Sequence, residues 1–282
     1  MVMIWLDGAI FSDSHAPFDL SDRGLLLGDG AFDTALVMNG RVFRGDAHLE
    51  RLFGALSALG IAADHDAIRR AVAALIPGAE RHILRVTVTR GPGLRGLAPQ
   101  GTQHPTILAS LTPLPPGFFF PRLSLDVAAM RRNETSPTSR LKTLGYLDAI
   151  LAMREAAAKH HTEVLFLNGA GRVACAAAAN VFGVFGEEIR TPPLSDGVLS
   201  GVIRNFVLTR CGELNLTSRE SSLDLTELRS ADAVFLTNSL RLIAPVERIG
   251  DHVIKSNGAK TVEALQSLLW RAIAAESGID AT

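Results

Sequence analysis

Cysteine is scarce in this chain. Only Cys175 and Cys211 occur, too few for a disulfide framework, and neither stands in a CxxC or His/Cys ligand spacing. Disulfide-stapled scaffolds and structural zinc folds are thereby set aside. An excess of charge of one sign is lacking too: 28 Lys and Arg stand against 29 Asp and Glu, a formal net charge of −1. That balance offers no footprint for nucleic acid or an anionic membrane as partner. Uninterrupted apolar runs fall short of the about 20 residues that a membrane span needs. The opening MVMIWLDGAIF has no basic n-region and no long apolar core, so it does not read as a signal peptide. A cytoplasmic, reducing location is the expectation. The eight histidines show no metal-ligand spacing, and no metal site is expected. Repeats and low-complexity tracts are missing as well.

What is present is the composition of an ordinary globular enzyme: 282 residues, 47% hydrophobic and 20% charged, enough for one large or two modest domains. Asp7-Gly8 joins Met1–Leu6 to Ala9–Ser12, and Asn39-Gly40 joins Ala31–Met38 to Arg41–Arg44. Both dipeptides favour tight hairpin turns. Asp46 reads as an N-cap, followed by Leu49, Leu52, Phe53, Leu56 and Leu59 at helical spacing, with Gly60 as the stop. Asp64–Ile76 repeats the pattern and ends at Pro77-Gly78. His82–Thr89 alternates as a strand, and Thr106–Leu111 is another. Pro113, Pro115, Pro116, Gly117 and Pro121 then crowd together and predict a linker over 113–122. This divides the chain into 1–112 and 123–282. Beyond the linker the pattern predicts a strand at Leu123–Met130, a helix at Tyr146–Lys159, and strands at Glu163–Leu167 and Asn180–Phe185. A helix at Gly201–Arg210, a strand at Ala233–Leu236 and a terminal helix at Thr261–Ala275 follow.

Four features carry candidate chemistry. Lys142, just before a predicted helix, is a surface lysine or, if desolvated, a neutral amine able to attack a carbonyl. Gly201 precedes another helix, whose Val202 and Ile203 amides would face an anion, or it is simply a turn. Thr237, Asn238 and Ser239 close a hydrophobic strand, as binding groups or as a plain turn. Arg51, flanked by Leu49 and Leu52, reaches an interior phosphate or snorkels to solvent.

Order and spacing join these signals. The stretches DRGLLLGDGAFDT, HLERL, TRGPGLRG, LKTLGYLDAILAMREA, ANVF, TPPLSDGVLSGVIR and TNSLRLIAPV resemble the class IV aminotransferases, the fold-type IV pyridoxal-phosphate (PLP) enzymes. The resemblance implies an α/β (α+β) two-domain fold. It has a small N-terminal α/β domain, the Pro-rich linker and a larger C-terminal pseudo-barrel, with PLP between the domains and usually a homodimer. Residue by residue, it makes Lys142 the Schiff-base lysine and proton shuttle. Arg51, the Val202 and Ile203 amides and Ser239 become the phosphate ligands. Gly201 becomes the position that lets the loop approach, and Asn180 the asparagine beneath the ring.

One departure stands out. Where the family reads V-A-E-G-T-T-S-N, this chain has Val173-Ala174-Cys175-Ala176-Ala177-Ala178-Ala179-Asn180. Cys175 therefore replaces the glutamate that pairs with the pyridine nitrogen. A carboxylate raises that nitrogen's pKa and a neutral thiol does not. The expectation is a weaker electron sink, which penalises transamination more than elimination. Arg90 and Arg95 are candidates for substrate carboxylates or members of a solvated basic loop. Tyr146 borders the ring or packs its helix. The leading function is aminodeoxychorismate-lyase-like: proton removal and pyruvate expulsion to leave 4-aminobenzoate. The alternatives are D-amino-acid or branched-chain transamination, and a non-catalytic PLP-binding protein. The expected partner is a small amino-acid substrate.

Overall fold

The computed structural model describes residues 2–12, 15–76, 78 and 80–280. Met1 of the first expected strand and Pro77 of the expected helix stop lie outside them. The chain divides into two compact units. One is Met1–Pro116 with Leu141–Gly145 and Ile273–Thr282, and the other is Gly117–Arg140 with Tyr146–Ala272. Among the described residues no helix is long and apolar enough to cross a membrane.

In the first unit, β1 (Met3–Leu6) and β2 (Ala9–Phe11) form the expected hairpin. Asp7 and Gly8 take φ of 44° and 100°, the positive values that a two-residue turn of this hand requires. A short helix α1 (Arg23–Leu27) follows. Strand β3 (Gly30–Met38) turns at Asn39-Gly40 into β4 (Arg41–Val42). Helices α2 (Gly45–Ala58) and α3 (His65–Leu75) precede β5 (His82–Thr89) and β6 (Ile107–Pro113). The strands form one antiparallel sheet in the order β2-β1-β6-β5-β3-β4. Alternation along β5 turns Leu84, Val86 and Val88 into a core shared with Leu52, Leu56, Ile68 and Leu75 of the helices.

Two expectations are corrected here. Asp46 does not cap α2. Arg44 holds the N-cap position at φ 55°, and Asp46 lies in the first helical turn, where its charge still favours the helix dipole. Pro113 is not linker but the last residue of β6, and the unit boundary falls at Pro116/Gly117. A strand end tolerates proline where no further ladder bond is needed.

The second unit holds β7 (Leu123–Arg132), α4 (Leu147–Ala158), β8 (Glu163–Asn168), β9 (Val173–Ala176), β10 (Asn180–Phe185) and β11 (Glu188–Thr191). After these come α5 (Val202–Arg210), β12 (Thr217–Glu220), α6 (Leu225–Ser230), β13 (Ala233–Asn238), β14 (Leu242–Ile249), β15 (His252–Val253) and α7 (Ala259–Ser277). Their nine-stranded mixed sheet runs β12-β11-β10-β13-β14-β7-β8-β9, with β15 on β14. Strand β9 ends the order, yet only Ala177–Ala179 separate it from β10, third from the other end. The sheet therefore curls, as a pseudo-barrel must. The fold is mixed α/β in two units, as the sequence leads one to expect.

Candidate active site

Lys142 lies in the segment Leu141–Gly145, which belongs to the first unit although the chain on either side of it, Gly117–Arg140 and Tyr146–Ala272, belongs to the second. Residues 142–144 add to the edge of β3: the Phe32 amide donates to the Lys142 carbonyl at 2.9 Å, and the Leu144 amide to the Gly30 carbonyl at 3.2 Å. This pairing fixes the lysine's backbone. Its side chain is half-buried, with Nζ 4.4 Å from the centroid of the Phe32 ring. The Arg85 guanidinium carbon lies 3.6 Å from the same centroid, and Arg85 Nε donates to Thr87 Oγ1 at 3.2 Å. Cross-strand register pairs Arg85 with Thr34 and Thr87 with Phe32. One sheet face thus presents an aromatic ring with two cations against it. Sequence reasoning left Phe32 without a role and singled out Arg90 and Arg95 above Arg85. The available signal was Arg85 itself, a charge on the outward side of an alternating strand.

Arg51 leaves α2 toward β3. Its Nε donates to Asp33 Oδ2 at 2.8 Å and its Nη2 to Asp33 Oδ1 at 2.9 Å. His48 Nδ1 lies 2.7 Å from Oδ1, and the Thr34 amide donates to Oδ1 at 2.7 Å. Asp33 and His48 are buried. Burial pushes the Asp33 carboxyl up, but the hydrogen bonds and charges of His48 and Arg51 outweigh it and hold the group at about 2. Phe32 and Asp33 are consecutive on β3 and so point to opposite faces of the sheet: the strand holds Lys142 against Phe32 on one face and Arg51 against Asp33 on the other.

The second unit supplies an anion cradle of its own. Gly201 is the N-cap of α5 and, among the described residues, no side chain caps that end. The first amides of an α-helix have no partner within it, and the dipole adds positive character there. A Cβ on Gly201 would lie 2.0 Å from Asn180 Oδ1, so only glycine lets this loop close on Asn180. Asn180 Nδ2 donates to the Leu199 carbonyl at 2.8 Å, tying loop to strand. Across the sheet Asn180 pairs with Thr237, whose buried Oγ1 has no hydrogen-bond partner among the described residues. Ser239 sits in the turn after β13, where Asn238 Oδ1 accepts from the Leu240 and Arg241 amides at 3.0 and 2.7 Å. An uncapped helix start beside an orphaned hydroxyl suits a phosphate.

Cys175 lies on β9 opposite Phe166 of β8 and is buried. Burial pushes its thiol up, the Arg132 charge opposes that and the Glu163 charge adds to it, so the group is neutral at physiological pH. Glu163 is already committed. Its Oε1 accepts from the Val164 and Ala177 amides at 3.0 and 3.3 Å, and its Oε2 accepts from Arg241.

Arg90 is engaged within the protein itself. Its Nε donates to Asp29 at 2.8 Å, Nη1 to the Gly60 carbonyl at 2.8 Å and to Gln103 Oε1 at 3.0 Å, and Nη2 to the Leu59 carbonyl at 2.7 Å. Buried and committed on every nitrogen, it ties loops together. Arg95 is exposed on the loop beyond it. Tyr146 is the N-cap residue of α4, in the second unit. The motif around Asp22 also proves structural. Its carboxylate caps α1 through the Gly24 amide at 2.7 Å and accepts from the Thr89 and Thr106 hydroxyls at 2.7 and 2.8 Å.

A family model described as amino-transferase class IV matches residues 30–249. An aminodeoxychorismate lyase from Bacillus subtilis is 30% identical over 278 residues, covering 96% of this chain and 94% of that protein. A putative branched-chain-amino-acid aminotransferase from Methanocaldococcus jannaschii is 29% identical over 258 residues, covering 90% of each. Among solved structures, the 4-amino-4-deoxychorismate lyase of Pseudomonas aeruginosa superposes with a TM-score of 0.82 at 31% identity, covering 95% of this chain and 98% of that one.

Proposed function

Because the chain belongs to the class IV aminotransferase family, whose members are PLP-dependent enzymes, we propose that it is an aminodeoxychorismate-lyase-like enzyme with Lys142 as its catalytic amine. Lys142 attaches the cofactor and moves the proton at the substrate's amino carbon. Arg51, the Val202 and Ile203 amides and Ser239 hold the phosphate. Gly201 and Asn180 shape the loop beneath it. The cofactor supplies a sink for the electron pair left by that proton. Arg85 and Arg95 hold substrate carboxylates by charge-assisted hydrogen bonds. Stacking on Phe32 engages the face of the Arg85 guanidinium, and a carboxylate engages its edge, so the two are compatible.

The observation that carries the reading is Lys142 Nζ at 4.4 Å from the Phe32 ring, on a backbone fixed by β3. Cys175 favours the lyase over the transaminase. A neutral, buried thiol cannot hold a proton on the pyridine nitrogen, and pyruvate expulsion gives the electrons another exit. Similarity to the Methanocaldococcus jannaschii protein named a putative branched-chain-amino-acid aminotransferase, along most of the chain, keeps transamination as the second reading. A homodimer in the cytoplasm completes the proposal. The dimer is supported by Leu25, Leu26 and Leu27 of α1, which are all exposed. The location is supported by two buried, free cysteines.

Borohydride reduction of the PLP-loaded protein followed by peptide mapping tests the core of this. The pyridoxyl group is expected on Lys142, and a tag elsewhere or none at saturating PLP overturns it. Pyruvate release from aminodeoxychorismate without an amino acceptor then supports the lyase. Conversion of the bound cofactor to its amine form by D- or L-amino acids supports the transaminase, and silence in both assays supports a binding protein.

A further inference from the structure

Asp33 has no part in the reading above, yet it is the most heavily engaged carboxylate beside it. Oδ1 accepts from the Thr34 amide, His48 Nδ1 and Arg51 Nη2, and Oδ2 accepts from Arg51 Nε. His48 and Arg51 stand three residues apart on α2, so one helical face delivers both to the same group. The Arg51 contact is two-pronged. A fork through Nε and Nη2 fixes the plane and the direction of the whole guanidinium, which a single hydrogen bond would not. The Thr34 amide and His48 fix the carboxylate in turn. His48 is itself locked on the wall of a small cavity of about 40 Å³ lined by Val42, Leu49, Leu52, Val72 and Leu84. In that wall its Nε2 has no hydrogen-bond partner among the described residues. A buried carboxylate with this many donors is more than an ion pair needs for charge balance, and it suits a device that sets orientation.

We propose that Asp33, braced by His48, is a positioning residue that pre-orients Arg51 for the phosphate of the cofactor. The proposal rests on the phosphate role of Arg51 given above and explains how that role is prepared. A free arginine samples many rotamers, and each one frozen on binding weakens affinity. Asp33 removes that cost in advance.

The test compares apo-protein binding of PLP with binding of pyridoxal, which lacks the phosphate. The ratio of the two affinities isolates the phosphate grip from packing of the ring. Arg51→Gln is expected to collapse the ratio. Asp33→Asn is expected to lower it by about tenfold or more with pyridoxal affinity unchanged, and Asp33→Glu to recover part of the loss. If Asp33→Asn does not fold by circular dichroism, His48→Gln is read instead, with a smaller fall of about two- to fivefold in the ratio expected. An unchanged ratio in a folded Asp33 or His48 variant, alongside a collapsed ratio in Arg51→Gln, overturns this inference and leaves the phosphate role of Arg51 standing. An unchanged ratio in Arg51→Gln removes the phosphate role and the inference with it. Equal losses for PLP and pyridoxal in Asp33→Asn reduce Asp33 to a structural ion pair and also overturn the proposal.

Discussion

The side chain of Cys175 packs with Ala174, Val198 and Leu194, and this small apolar setting decides what a substitution there does. A glutamate would place a carboxylate among apolar groups, and the nearby cation, Arg132, already donates to the Gly197 and Ser139 carbonyls. Without cofactor, Cys175→Glu is expected to cost about 1–3 kcal/mol of stability. PLP binding should restore part of that, because a ligand that pairs with the new carboxylate stabilises the folded state. With cofactor, the ring nitrogen should hold its proton to higher pH and the transamination half-reaction should accelerate. Thermal melts with and without PLP, and a pH titration of the cofactor absorbance, check both. Identical spectra would remove the electronic role given to this position. Asp33 yields a second expectation. Its folded value of about 2 lies below the ordinary carboxylate value near 3.9, so its contribution to stability is complete above about pH 4. That contribution disappears as pH falls through about 2, and it amounts to about 2–3 kcal/mol at neutral pH. Asp33→Asn should therefore flatten the acid limb of a denaturation curve, and a limb of unchanged steepness would contradict the assignment.

Gly201 connects an element to its task. The start of α5 comes close to β10 because Gly201 carries no Cβ, which would lie 2.0 Å from Asn180 Oδ1. Gly201→Ala must push aside Asn180, break its bond to the Leu199 carbonyl, or move the helix start. We expect a loss of about 1–3 kcal/mol in stability and a larger proportional loss of PLP than of pyridoxal affinity, read by melting and by titration. Equal affinity for PLP in the variant would take the α5 amides out of the phosphate site. This helix was legible beforehand, and so were β5, β10, α3 and both hairpins, because local periodicity and turn residues determine them. Other parts were hidden for physical reasons. The addition of 142–144 to β3 joins segments more than a hundred residues apart, and no local pattern encodes such a pairing. Helix α1 is five residues long, too short for a period to show. Arg90 and Arg85 are alike as letters. Strand alternation marks Arg85 as outward-facing, but only tertiary partners show that it stacks on a ring beside Lys142 while Arg90 is enclosed by Asp29, Gln103 and two carbonyls.

At the level of the whole molecule, the distribution of large apolar side chains remains to be accounted for. Helix α4 turns Ala152 and Ala156 into the core of its unit and leaves Leu147 at 73% and Ile150 at 60% exposure. Large apolar side chains of this helix are thus outside and these alanines inside. In the other unit, α1 exposes Leu25 at 57% and Leu26 at 61%. Singly exposed leucines are ordinary, but runs of them on two helices leave apolar area that water disfavours. The family resemblance implies a second copy of the chain as its cover. Light scattering at micromolar concentration should accordingly give about twice the chain mass of 30.1 kDa. Leu26→Glu and Ile150→Glu, made separately, distinguish which patch is responsible. A substitution at a position exposed in the isolated chain shifts its intrinsic stability by about 0.5 kcal/mol or less, whereas a charge buried in an apolar interface opposes association strongly. A variant that turns monomeric yet folds, with a melt no longer dependent on protein concentration, identifies the interface. A wild-type protein that is monomeric at that concentration would refute the dimer outright and leave the exposed leucines to another partner.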